Sequence, residues 1–517
     1  MDNDRPSLRR LAAAAVPAAF AAVFLGFPFV AILERGLTSG SGRLLPDGTA
    51  HLLWFTFWQA AVSTGLTLAF GLPLAWAIGR FRFRGRSLVR ALVLVPFVLP
   101  TVVVATSFLA ILPQGFERGL WAIFAAHVFF NLAVVARIVG GAWATLDRRT
   151  DEAAAVLGAP PWRRFREITL PLLGPSVASA AALTFLFCFT SFGVILILGG
   201  PTRATVETEI YNRAARLFDL QAAAALSLLQ LAAVGLVLAV TSVLESRAPM
   251  ATTLTDEVSV LRQPVGRERI VLGVVLAAAS FMLIAPLAAL VERSLGSFGR
   301  LFEETPALLV EPWRAAVYSI AFASVASLIA ITVGGLAAVA LATRPPGMLD
   351  GVALLPLGVS AVMLGYGFLI AFDTAPYDFR SAWWLVPVAQ SLVAAPFVVR
   401  IVTPALRSID PRLREAAATL GATPARVWSE IDLRLAGRAL AVAAGFAFAI
   451  SLGEFGATVF VARAEQPTLP VAIFRFLGRP GVENQGTAAA LAVVLACLAV
   501  ATALVVERVG DGRGQTL

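Results

Sequence analysis

Apolar residues along this chain gather into long runs, each separated from the next by a short segment rich in Arg, Gly, Pro or acidic residues. A helix rises about 1.5 Å per residue, so crossing a hydrocarbon layer about 30 Å thick takes roughly 20 mostly apolar residues. Twelve runs meet that length. In the first half they are Leu11–Leu33, Leu52–Ile78, Ala91–Leu112, Gly119–Trp143, Pro175–Leu198 and Gln221–Val243. In the second they are Ile270–Val291, Val317–Ala342, Gly351–Phe372, Trp383–Val402, Ala439–Val461 and Gly486–Val506. The pattern predicts an all-α polytopic membrane protein of about twelve transmembrane helices. Leu11–Leu33 is long for the apolar part of a signal peptide and is read as a retained span.

Composition agrees. The 517 residues are 58% hydrophobic and 14% charged, with a mean hydropathy of +0.82, whereas soluble domains carry about 25% charged residues. All 41 basic residues are Arg, so no phosphate-binding or Schiff-base Lys exists and any use of ATP must come from a partner. The two cysteines, Cys188 and Cys497, and two histidines, His51 and His127, argue against a disulfide framework or a metal centre. No paired carboxylates and no nucleophile–base set emerge, so neither catalysis nor a cofactor is expected. With the N-terminus placed in the cytoplasm, the first half puts 17 Arg inside and 6 outside, as the positive-inside rule requires. An even span count then leaves both termini cytoplasmic. The net charge of +9 reflects this topology. Nucleic-acid binding would need a basic face with stacking aromatics on a soluble domain.

The chain repeats itself. Asp151-Glu-Ala-Ala-Ala-Val-Leu-Gly-Ala159 recurs as Arg414-Glu-Ala-Ala-Ala-Thr-Leu-Gly-Ala422, an offset of 263 that also relates Arg137-Ile138 to Arg400-Ile401, Ile168 to Ile431 and Phe192-Gly193 to Phe455-Gly456. Each copy holds six spans, so both enter the membrane from the same side as parallel repeats. The expected division is a first half over 1–244, a polar cytoplasmic linker over 245–268 and a second half over 269–517.

The repeated loop follows the fourth and tenth runs. In the second copy Asp410 is an N-cap candidate with Pro411 at the first helical position, Gly421 ends the helix, and Thr423-Pro424 restarts it. In the first, Glu152, Ala153, Ala154, Gly158 and Trp162 follow the same plan. Such a helix–turn–helix bracket, taken once, need only join two spans. Two of them at matched positions point to a two-fold cytoplasmic partner.

The spacing Glu-Ala-Ala, three residues, Gly, nine residues, Ile, one residue, Leu-Pro resembles the signature loop of bacterial binding-protein-dependent ABC importer permeases of type I. Glu152–Pro171 fits throughout, and Glu415–Leu433 fits except that Arg434 replaces the last Pro. The resemblance implies that Glu152, Ala153, Ala154, Gly158, Trp162, Glu415, Ala416, Ala417 and Gly421 form coupling helices for two copies of a cytoplasmic ATPase. It also implies a periplasmic substrate-binding protein and residence in the bacterial inner membrane. Phe192–Tyr211 and Thr468–Phe474 are similar to the fused two-half permeases for thiamine or thiamine pyrophosphate. A ferric-iron importer is the alternative, and an ion-coupled secondary transporter is a more distant one. Glu454 is expected within the eleventh span, with Ser191 at the matching position of the first half. Either these two line the substrate path, or Glu454 is a structural carboxylate beside a Gly-broken helix.

Overall fold

The computed structural model describes residues 8–37, 45–113, 115–146, 148–200, 202–246, 261–342, 359–373, 379 and 382–511. Among them every regular element is a helix. In chain order these are α1 (Leu8–Ala21), α2 (Phe27–Leu37), α3 (Thr49–Arg80), α4 (Arg86–Val98), α5 (Thr101–Ile111), α6 (Leu120–Thr145), α7 (Arg148–Val156), α8 (Pro161–Arg164), α9 (Leu170–Phe189), α10 (Gly193–Leu198), α11 (Val206–Tyr211) and α12 (Leu220–Ser246). The second half continues with α13 (Arg267–Ser294), α14 (Arg314–Ala342), α15 (Ala361–Ala371), α16 (Leu385–Arg407), α17 (Pro411–Thr419), α18 (Pro424–Val427), α19 (Leu433–Gly453), α20 (Thr458–Val461), α21 (Leu469–Leu477) and α22 (Val482–Asp511).

Among the described residues, ten helical stretches are long and apolar enough to cross a membrane. The protein is therefore a polytopic helical membrane protein, and three of the twelve expected spans need correction. The third is not one straight helix: α4 and α5 meet at an angle of 104°. Pro100 causes the break, because it lacks an N–H and forces the residue before it out of helical geometry. Its extended backbone instead starts α5 as an N-cap. The fifth and eleventh spans begin earlier than their apolar runs, inside the bracket loops, and end at Phe189 and Gly453 rather than at Leu198 and Val461. The ninth expected run is described only from residue 359, where Ser360 caps α15 by accepting from the Val362 and Met363 N–H groups at 3.1 and 3.4 Å. Residues 351–358, like 247–260 of the expected linker, lie outside the described residues.

The repeat is written in tertiary contacts as well as in sequence. Thr56 Oγ1 accepts from Val206 N at 3.1 Å, and Ser319 Oγ accepts from Leu469 N at 2.7 Å. The two bonds are 263 residues apart and each ties a long helix to the start of a short one. A Cβ on Gly71 would lie 2.7 Å from Val135, and one on Gly334 would lie 2.9 Å from Val398. This close approach of α3 to α6 thus recurs between α14 and α16. At the far ends the carbonyls of Ile78 and Leu341 each accept a guanidinium N–H, from Arg86 at 2.9 Å and Arg407 at 3.0 Å.

Compactness divides the chain differently from chain order. One unit holds Met1–Pro46, Glu209–Leu231 and Ser294–Leu517. Within it the first span packs on second-half helices: Phe24 lies 6.5 Å from Phe368 and 6.1 Å from Trp384, ring to ring. The Tyr366 hydroxyl donates to the Leu220 carbonyl. The other unit holds Asp47–Thr208 and Ala232–Arg293. There α13, the seventh span, packs Leu272 on Ala77 and Phe81. Arg262 pins its approach: its N–H donates to Arg80 O at 3.2 Å and its carbonyl accepts from Arg82 N at 2.9 Å. Its guanidinium sits 4.9 Å above the Phe81 ring and pairs with both oxygens of Glu268.

Candidate functional site

Each bracket is built by short-range rules. In the second, Asp410 Oδ1 accepts from Arg412 N at 2.9 Å and Pro411 occupies the first turn, so α17 starts there. It ends at Gly421, whose φ of +82° falls in the left-handed region that glycine enters without a Cβ penalty. The Gly421 N–H donates to Ala418 O at 3.0 Å and the Ala422 N–H to Ala417 O at 3.0 Å. The first bracket repeats this: Gly158 has φ +79°, its N–H donates to Ala155 O at 3.0 Å, and Ala159 N donates to Ala154 O at 3.0 Å. These are the paired bonds that close a helix C-terminus. A second short helix then leads through a five-residue π-turn into the long span, Phe165–Thr169 before α9 and Trp428–Asp432 before α19. Both copies carry an exposed ion pair across that junction, Arg163–Glu167 and Arg426–Glu430, each at 2.9 Å.

Glu152, Ala153, Gly158 and Trp162 are exposed and Ala154 is half-buried; Glu415, Ala416 and Gly421 are exposed and Ala417 is half-buried. Each loop thus presents the same face of the same residues. Trp162 stacks on Phe165 at 5.9 Å, and Phe165 in turn on Trp143 at 6.4 Å. Sequence reasoning passed over the apolar tips. Val156 and Leu157 are each 87% exposed, and Leu420 is 89% exposed. Large apolar side chains this bare on a polar loop mark a contact surface. The signal was available, since each Leu immediately precedes the helix-ending Gly.

Ser191 and Glu454 do not lie within spans. Both fall in the break after one, Ser191 between α9 and α10 and Glu454 as the residue that ends α19. Their chemistry differs. The Ser191 hydroxyl lies 2.9 Å from His127 Nε2, and His127 Nδ1 lies 2.9 Å from Ser63 Oγ. A neutral imidazole donates through one nitrogen and accepts through the other, so the three side chains form a continuous chain. Next to it Asn131 donates to the Cys188 sulfur at 3.4 Å, and Gln59 donates to the Cys188 carbonyl at 2.9 Å. The Glu454 carboxylate is buried and folds back on its own turn. Oε1 accepts from Ala457 N at 2.7 Å, and Oε2 accepts from Thr458 N at 2.9 Å and from the Thr458 hydroxyl.

The family model for "Binding-protein-dependent transport system inner membrane component" matches residues 71–247 and 330–511, each match containing one bracket. The chain belongs to this family. It is a multi-pass permease component of an inner-membrane ABC import system, a class that works with an ATPase and a substrate-binding protein. It is similar over nearly its whole length to permeases with a stated cargo. It is 29% identical over 484 residues to the thiamine transport system permease protein ThiP of Escherichia coli (strain K12), covering 88% of each chain. It is 29% identical over 514 residues, 93% of each chain, to ThiP of Brucella abortus (strain 2308). A probable ABC transporter permease protein of Sinorhizobium fredii, y4fN, is 25% identical over 540 residues.

Proposed function

We propose that this permease moves thiamine or its phosphates inward by alternating access, powered by two copies of a separate ATPase. The full-length likeness to thiamine permeases carries the cargo assignment. In this reading residues 1–244 and 269–517 are the two permease halves, 245–268 is their cytoplasmic linker, and both termini are cytoplasmic. Each bracket is a coupling helix that lays Glu152 or Glu415, with the Ala pair beside it and the apolar tip, against one ATPase subunit. Since each bracket runs directly into a long span, a displacement of the ATPase subunits reorients α9 and α19. Nucleotide therefore shifts the balance between outward-open and inward-open states through the contacts it makes in each. Chemistry on the cargo has no part in this scheme.

Reconstitution with the cognate ATPase and binding protein tests the assignment. Thiamine should stimulate ATP hydrolysis and accumulate in the vesicle lumen. Stimulation by ferric iron with none by thiamine or its phosphates would reassign the cargo, and accumulation without ATPase would reassign the class.

A further inference from the structure

The two brackets have the same shape, and one side chain holds the second to both spans it joins. In the second, Arg414 reaches out of α17 in two directions. Its Nε donates to Asp432 Oδ1 at 2.7 Å, and one terminal nitrogen donates to the Leu406 carbonyl at 3.3 Å. Leu406 belongs to the last turn of α16, and Asp432 is the final residue of the π-turn that opens into α19. One side chain therefore ties the span entering the bracket, the bracket helix, and the span leaving it. The Asp432 side chain is only 12% exposed, and a charge-assisted bond to a buried carboxylate holds far better than an exposed pair. The first copy has Asp151 and Thr169 at these two places, so this ion pair has no counterpart there. Both brackets meet their span through a π-turn, where the helix is widened and its hydrogen bonding is weaker. Only the second has its π-turn bolted to the bracket helix by this pair.

We propose that Arg414 is a positioning residue that locks the second bracket to both spans it joins. This rests on the coupling reading above: a motor pressing on the second loop then moves α19 with little loss.

The test is uptake per ATP hydrolysed in vesicles holding the complete transporter, with thiamine as the probe. Mutations along a coupling route shift coupling by about two- to thirtyfold, so Arg414→Ala and Asp432→Asn should each lower the ratio by an amount in that range while the ATPase still co-purifies. Arg414→Lys should recover part of it, since an ammonium can pair with Asp432 without also serving Leu406. Arg412→Ala, on the same helix and exposed, should leave it unchanged. The ratio is a property of each assembled complex, so a loss of folded protein alone does not move it. If Arg414→Ala fails to assemble, the size-conserving Asp432→Asn decides. A parental ratio in Asp432→Asn, or in Arg414→Ala where that assembles, overturns the brace. The coupling reading fails separately, if Glu152→Arg with Glu415→Arg still imports thiamine. If that double variant is inactive and the Arg414 variants are not impaired, the brace alone is wrong.

Discussion

The Glu454 carboxylate meets three donors, two of them backbone N–H groups, and all belong to the four residues that follow it. A carboxylate so satisfied acts as a helix cap for α20 and has little capacity left for a cargo. Glu454→Gln keeps the shape but replaces one accepting oxygen with a donor, leaving a buried N–H group without its acceptor. We expect a stability loss of about 1–3 kcal/mol, read as a lower unfolding temperature in detergent, with the KM for thiamine unchanged. A raised KM at unchanged stability would instead put Glu454 on the substrate path. Gly71 offers a cleaner packing test. An added methyl would meet Val135 at 2.7 Å, whereas at Gly65, two turns earlier on α3, it meets nothing within 4 Å. Gly71→Ala should cost about 1–3 kcal/mol through overpacking, and Gly65→Ala should be neutral or slightly stabilising, since Ala is the better helix former. Equal effects at the two sites would contradict the close approach of α3 and α6.

At the scale of elements, apolar runs located the spans well because burial in lipid leaves a long, one-sided compositional record. They misplaced the ends of the fifth and eleventh spans because a helix does not stop where its polarity changes. Arg163–Glu167 and Arg426–Glu430 are polar yet helical, and Thr190-Ser191 and Glu454 are breaks inside apolar sequence. The Pro100 break was legible in principle, but a Pro inside an apolar run can also be a tolerated kink, as Pro73 is in α3. Which residue braces which depends on residues distant in the chain and left no local mark. The Arg262 clasp is of this kind. It joins residues 80–82 to the start of α13 by two backbone bonds, a ring contact and a bidentate ion pair. Arg262→Ala removes the last two and leaves the backbone bonds to stand alone. Amide exchange at Arg82 and at position 262 should then quicken by about five- to thirtyfold, as expected when about 1–2 kcal/mol of local protection is lost. Unchanged exchange would mean that Leu272 packing alone holds the strap.

At the scale of the whole molecule, the proposal needs both brackets on the cytoplasmic side, and that depends on a single element. Between Gly158 and Gly421 the chain passes through five long apolar helices, those ending in Phe189, Val240, Ser294, Ala342 and Arg407, and through the ninth run. Five crossings alone would put the brackets on opposite sides; six put them together. The described part of the ninth run, α15, has 11 residues, which at about 1.5 Å each covers little more than half of a hydrocarbon layer about 30 Å thick. The first half contains its counterpart, since Pro96 and Pro100 align with Pro356 and Ser360 at an offset of 260. There α4 and α5 meet at a break bent by 104°. The coupling reading requires the ninth run to cross as well, which makes the crossings six. Single cysteines at Leu157 and Leu420, introduced after replacing Cys188 and the exposed Cys497, test this directly. Both tips are nearly fully exposed, so a membrane-impermeant maleimide should label both in inverted vesicles and neither in right-side-out ones. Opposite labelling of the two sites would show that the ninth run does not cross, and a two-fold motor could not then engage both loops.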